Sequence, residues 1–114
     1  MRIFDTHCHI ADPAFDADRA EVIARFREAG VCRANVVADP CEETPNQEKV
    51  FSIVEKYGAF TASIGVHPHN AVRYGAAAEE TILTYLNHPQ CRMLGEIGLD
   101  YHYDLCLLYT SRCV

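Results

Sequence analysis

Four short apolar runs start near residues 2, 32, 60 and 92, and the stretches between them repeat their apolar residues every three or four positions. Short apolar runs suit buried strands, and the three-and-four spacing suits one face of a helix. Alternation at about 30 residues per step reads as a series of βαβ units, hence a parallel sheet covered by helices. Two architectures satisfy it, a doubly wound sheet and a (β/α)8 barrel. Both set functional residues at the carboxyl ends of the strands.

Residues 2 to 6 form the first strand pattern. Pro13 and the acidic stretch Asp16 to Asp18 open a helix, with Asp18 as its cap and Glu21 three residues on. Val22, Ile23, Phe26 and Ala29 mark its inner face, Glu21, Arg25 and Glu28 its solvated one, and Gly30 closes it. A second strand runs from 32 to 38 and ends in the turn signal Asp39-Pro40. Thr44, Pro45 and Gln47 then read as cap, first helical residue and capping-box partner of a second helix. Its apolar face is Val50, Ile53, Val54 and Tyr57, and Gly58 stops it. The third strand covers 60 to 66, and a third helix covers 76 to 86 with Ile82, Leu83 and Leu86 inward, until Pro89. The fourth strand covers 92 to 97. No Gly-x-Gly-x-x-Gly follows the first strand, so a dinucleotide fold is unsupported.

The 114 residues amount to at most one ordinary domain, and a hydrophobic share of 49% fits a globular core. Net charge is −6, so the bulk balance advertises no nucleic-acid partner, although metal ions could supply the positive charge a phosphate needs. No signal peptide opens the chain and no apolar stretch approaches ~20 residues. The expectation is a cytoplasmic protein with no membrane and no obligate protein partner. Cys8, Cys32, Cys41 and Cys91 are scattered singly without a Cys-x-x-Cys pair. They read as small buried hydrophobes rather than a disulfide framework or a zinc finger.

The candidate chemistry begins in Phe4-Asp5-Thr6-His7-Cys8-His9. Alternate side chains of an extended chain share a face, so His7 and His9 point together and Cys8 points away. Two imidazoles converging at a strand end are a natural half of a metal site. His67 and His69 end the third strand, Glu96 lies near the end of the fourth, and Asp100 follows just beyond. All fall on one rim of a parallel sheet, and structural strands do not need histidines and carboxylates gathered there. The alternatives are a salt bridge from Glu96 to a core arginine, and loop-capping roles for His67 and His69. His88 beside Pro89 reads as a capping or surface residue, and His102 has no identifiable partner.

Asp5-Thr6-His7-Cys8-His9, Gly65-Val66-His67-Pro68-His69 and Gly95-Glu96-Ile97-Gly98-Leu99-Asp100-Tyr101, in this order, resemble the TatD family of metal-dependent deoxyribonucleases. The resemblance covers about residues 1 to 104. It implies a TIM barrel of the metal-dependent hydrolase type with two divalent ions, Mg, Mn or Zn, at its mouth. His7 and His9 would bind one ion, Glu96 would bind or bridge the pair as the catalytic carboxylate, and His67, His69 and Asp100 would face the substrate. The implied activity is hydrolysis of DNA phosphodiesters, as a 3′-5′ exonuclease. The runner-up is hydrolysis of amides or lactones on small molecules, which the same fold hosts; a third reading is a non-catalytic fragment.

A (β/α)8 barrel takes ~250 residues. Only four strand patterns are present, so residues 1 to 104 are expected to be the amino-terminal half of a barrel, four βα units, truncated. The resemblance implies further ligands, two histidines and an aspartate, from later strands. Residues 105 to 114 break the helical period, are apolar and add two cysteines, so a truncated or frame-shifted, inactive fragment with a non-native tail is the expectation.

Overall fold

A computed structural model describes residues 1–100. Strands and helices alternate: β1 (Ile3–Cys8), α1 (Arg19–Glu28), β2 (Val31–Ala38), α2 (Gln47–Lys56), β3 (Phe60–Ile64), α3 (Ala76–Leu86) and β4 (Cys91–Leu94). Short 3₁₀ turns cover Pro13–Phe15 and Pro68–Arg73. The strands pair in the order β1-β2-β3-β4, all parallel. This is the α/β alternation that the apolar pattern predicts, and it agrees with the amino-terminal part of the TIM barrel that the resemblance implies. The helix of a fourth unit, and the atypical tail, lie outside the described residues.

The core sits between the sheet and its helices. Ala34, Val36 and Ala38 of β2 and Ala62 and Ile64 of β3 are fully buried against Val50, Ile53 and Val54 of α2 and Ile23 of α1. Each fully buried Val or Ile is worth roughly 1.5–3 kcal/mol relative to exposure. Small residues on the strands let α2 approach closely. On the opposite face of the sheet, Asn35 donates to Ser63 Oγ at 2.9 Å, and Thr61 Oγ1 donates to Asn35 Oδ1 at 3.3 Å. That pairing satisfies a buried amide which would otherwise cost about 1–3 kcal/mol.

Several local expectations shift. β1 extends to Cys8, so His7 belongs to the strand itself. β3 and β4 end at Ile64 and Leu94, earlier than expected, which leaves His67, His69 and Glu96 in loops beyond the strand ends. Thr44 does not cap α2: the cap position is Asn46, and its side chain serves the preceding loop instead. Asn46 Oδ1 accepts the Asp39 N–H at 2.9 Å, and its Nδ2 donates to Glu42 at 3.0 Å. Asp18 does occupy the cap of α1, but its carboxylate faces the Arg25 guanidinium at 3.5 Å rather than a helix N–H. Leu83 is exposed, because α3 turns only Ile82 fully inward. Gly30 closes α1 as expected, with φ +91°, and a Cβ there would stand 2.5 Å from the Met1 carbonyl oxygen.

Candidate metal centre

β1 and the residue that follows it deliver the first two groups through the alternation of an extended chain. Cys8 is buried in the core while His7 and His9 stand on the exposed side. Burial pushes the Cys8 thiol up to about 11, against a lowering hydrogen bond from the Ile10 backbone and with a small push from Asp5. Turned into the core, the Cys8 side chain stands apart from the ligand atoms gathered by His7, His9 and Glu96. The four cysteines among the described residues are all free thiols. Asp5 Oδ1 accepts the His7 N–H at 3.1 Å, which steadies the turn of the chain into the histidines. His7 Nε2 and His9 Nε2 then approach to 3.0 Å.

The third group comes from the far end of the described chain. Glu96 Oε2 lies 3.3 Å from His7 Nε2, and Glu96 Oε1 lies 3.6 Å from His67 Nε2. One carboxylate thus spans the histidines of β1 and the loop after β3. Ligand atoms of His7, His9 and Glu96 all lie within 4.8 Å of one another. Atoms bound at about 2 Å to one ion stand roughly 3–4 Å apart, so small side-chain movements would bring these three to a common ion. Two imidazoles and a carboxylate with exposed edges suit a divalent ion that keeps open positions. The donor set therefore fits a metal.

Two backbone features hold Glu96 there. Gly95 donates its N–H to the Ile64 carbonyl at 2.8 Å, the last rung between β3 and β4. Gly65 lies directly beneath: a Cβ on it would stand 2.5 Å from the Glu96 carbonyl oxygen and 2.8 Å from the Gly95 carbonyl carbon. Gly65 has no positive φ, so space rather than backbone conformation calls for glycine.

The remaining expected residues form a second group beside the first. His67 Nδ1 accepts the His69 backbone N–H at 3.1 Å, and the two rings meet edge to face with centroids 4.4 Å apart. With Nδ1 accepting, the neutral ring carries its proton on Nε2, the nitrogen that faces Glu96. His69 Nε2 pairs with Asp100 Oδ2 at 2.6 Å, so these two engage each other rather than the β1 histidines. His88 lies in the loop between α3 and β4, paired with Glu55 at 3.0 Å and packed on Phe51, in keeping with a capping role. His102 lies outside the described residues.

Asp39 was legible only as a turn. The structure buries its carboxylate between the loops after β2 and β3, where it accepts backbone N–H groups from Cys41 at 2.7 Å and His67 at 3.0 Å. The signal was available: like the histidines, Asp39 is a polar residue at the carboxyl end of a predicted strand. Beside His9 a cleft of about 400 Å³ opens between the loops after β1 and β2, lined by Asp12, Pro13, Glu42 and Lys49 among others. Burial, and the nearby Asp39, raise the Glu42 carboxyl above its ordinary value, with Asn46 opposing. Among the described residues no helix is long and apolar enough to cross a membrane.

The family described as TatD related DNase matches residues 4–107 of this chain. The metal-dependent hydrolase YabD of Bacillus subtilis is 33% identical over 102 residues, covering 90% of this chain and 39% of that protein. The 3′-5′ ssDNA/RNA exonuclease TatD of Shigella flexneri is 30% identical over 100 residues, covering 88% of this chain and 37% of that protein. Its namesake in Escherichia coli is 29% identical over the same length. The chain thus spans about two fifths of the length of the curated relatives it matches.

Proposed function

This chain belongs to the TatD-related DNase family, and from that premise we propose that it carries part of the active site of a metal-dependent phosphodiesterase acting on DNA, with attack from 3′ ends. Residues 1 to 104 form the amino-terminal portion of its barrel domain. The observation that carries the reading is the Glu96 carboxylate, set with one oxygen toward His7 and the other toward His67, beside His9. His7, His9 and Glu96 would hold a divalent ion, and Glu96 would also serve a second ion whose other ligands come from outside the described residues. Bound there, the ions would polarise the scissile phosphate and bring a water's pKa to about 7.

The chain's own residues do the rest. Glu96 would contribute the negative charge that keeps the ions in place. His67 Nε2–H stands 3.6 Å from Glu96, too far for a good hydrogen bond, and so is available to a phosphate oxygen. His69, held by Asp100, fixes His67 through its backbone N–H and lines the same wall. Metal charge rather than a basic groove draws in the nucleic acid, which accords with the net charge of −6.

The test is a panel of single-stranded DNA, RNA, and small ester, amide and lactone substrates, with Mg²⁺, Mn²⁺ or Zn²⁺, using protein that joins this chain to the later barrel strands. Chelator-sensitive release of nucleotides from 3′ ends is expected, and Glu96→Gln should remove most turnover by taking away the bridging charge. Full activity in Glu96→Gln would make Glu96 structural. Turnover of amides or lactones with DNA left intact would overturn the phosphodiesterase reading.

A further inference from the structure

We infer that Asp39 is a positioning residue for His67, acting on the chemical step rather than on metal loading; the inference rests on the phosphodiesterase reading above. The argument starts from burial. Asp39 is 5% exposed, yet it directly follows β2 at the rim where the candidate ligands gather. A buried carboxylate persists only where donors satisfy it. Both oxygens of Asp39 accept: Oδ1 from the Cys41 N–H at 2.7 Å, Oδ2 from the His67 N–H at 3.0 Å and from Asn70 Nδ2 at 2.8 Å. The backbone of the same residue is anchored as well, its N–H donating to Asn46 at 2.9 Å. The strand on which it rides is locked to β3, where Gly65 donates to the Ala38 carbonyl at 3.1 Å.

These bonds reach across the sheet to one target. His67 and Asn70 bracket the turn after β3, and Asn70 N–H closes that turn on the His67 carbonyl at 2.8 Å. Asp39 therefore holds both ends of the turn that presents the His67 ring. The ring's other constraint is local, the His69 N–H on Nδ1. The first restraint sets where the backbone of His67 sits, and the second sets which nitrogen carries the proton. Together they aim an Nε2–H toward the space beside Glu96. Among the described residues the Asp39 carboxylate bonds to Cys41, His67 and Asn70 and to none of His7, His9 or Glu96, so its loss should leave the three metal ligands in place.

An amide in place of the carboxylate discriminates well, because its NH₂ group cannot accept. Asp39→Asn must turn a donor toward either the Cys41 N–H or the pair from His67 and Asn70. A displacement of about 1 Å at a catalytic group can cost on the order of a hundredfold in rate. The experiment compares wild type, Asp39→Asn, His67→Ala and the double variant in the protein that includes the later strands. It reads kcat and KM on a single-stranded oligonucleotide, Zn²⁺ affinity by calorimetry, and the ¹⁵N resonances of the His67 ring. The expected result is a kcat lowered about tenfold to a hundredfold, KM and Zn²⁺ affinity within about threefold, displaced His67 ring signals, and no further loss when Asp39→Asn is added to His67→Ala. Parallel losses of Zn²⁺ affinity and kcat, additive losses in the double variant, or unmoved ring signals would each overturn the inference. Should Asp39→Asn fail to fold, Asn70→Ala removes one donor from the same oxygen, and the same displacement of the His67 signals is required of it. Wild-type protein that leaves DNA intact would refute the phosphodiesterase reading, while the His67 resonances would still decide the positioning claim.

Discussion

Gly65→Ala offers a direct test of how the candidate metal centre is held. The added Cβ would meet three backbone atoms, at 2.5 Å from the Glu96 oxygen, 2.8 Å from the Gly95 carbonyl carbon and 2.9 Å from the Gly95 Cα. Ordinary carbon contacts lie near 3.5–4.0 Å, so the two chains must part by roughly 0.5–1 Å. A flexible side chain could swing away at little cost, but backbone tied by the Gly95-to-Ile64 bond cannot. Overpacking of this kind typically costs 1–3 kcal/mol. Part of the strain should appear as displacement of Glu96 away from His7, from which it is now 3.3 Å. Each 1.4 kcal/mol lost at the site is tenfold in affinity. Zn²⁺ titration calorimetry of Gly65→Ala should therefore show affinity weakened about three- to thirtyfold, with a lower melting temperature. Wild-type affinity in this variant would show that Glu96 does not depend on the close approach, and would refute the reasoning.

Two further outcomes follow from other parts of the structure. The double change His7→Ala with His9→Ala should abolish Zn²⁺ binding, since it leaves only Glu96 of the three gathered ligands; tight binding that survives would sink the site. For Cys8, whose thiol burial raises from 9.0 to about 11, the folded state favours the protonated form, so its contribution to stability is complete below pH 9 and is lost as pH climbs toward 11. Two pH units correspond to at most about 2–3 kcal/mol, and denaturant midpoints at pH 8 and pH 10.5 should fall less steeply in Cys8→Ala than in wild type. Cys41 and Cys91 are raised by burial too, which is why the comparison is made against the variant. Equal slopes would show that Cys8 ionises freely in the folded chain.

The parts of the fold that were legible are those encoded over one or two turns of chain. The apolar spacing of Val50, Ile53 and Val54 needs only a helix and a sheet to bury it, and all three are buried. The alternation across His7, Cys8 and His9 needs only an extended backbone. What misled was side chains with two local uses. Thr44, Pro45 and Gln47 spell a helix start, but Asn46 is drawn away by the unpaired Asp39 N–H seven residues earlier. That N–H would be left orphaned at a strand end, and satisfying it outweighs a helix cap worth about 1 kcal/mol. Asp39 was read as a turn former, and its bond from the Cys41 N–H two residues on bears that out; its other carboxylate partners stand 28 and 31 positions away, beyond any local pattern. Gly65 was legible as a motif residue, but its reason, the Glu96 backbone beneath it, exists only once β3 and β4 have paired.

This separation of local from long-range information bears on how the site comes into being. His7, in β1, and His9, one residue past its end, have ring nitrogens 3.0 Å apart, so the pair can form as soon as β1 does. Glu96 joins them only after β2, β3 and β4 have stacked in register, because it hangs from the end of the last strand at the opposite end of the described chain. A cation held by all three groups therefore binds the folded sheet and not the unfolded chain. Its binding energy is then folding energy, and at a free ion concentration a hundred times its dissociation constant it adds about 2.7 kcal/mol. The same linkage runs backwards: any change that loosens β4 on β3, even far from the histidines, must weaken the ion. Gly65 and the Gly95-to-Ile64 bond lie on that path, whereas Asp39 acts on His67 from the neighbouring strand and lies off it. Asp39→Asn should therefore disturb His67 without loosening β4 on β3, whereas Gly65→Ala reaches both seams of the sheet, because Gly65 packs on the Glu96 backbone and also bonds the Ala38 carbonyl beside Asp39.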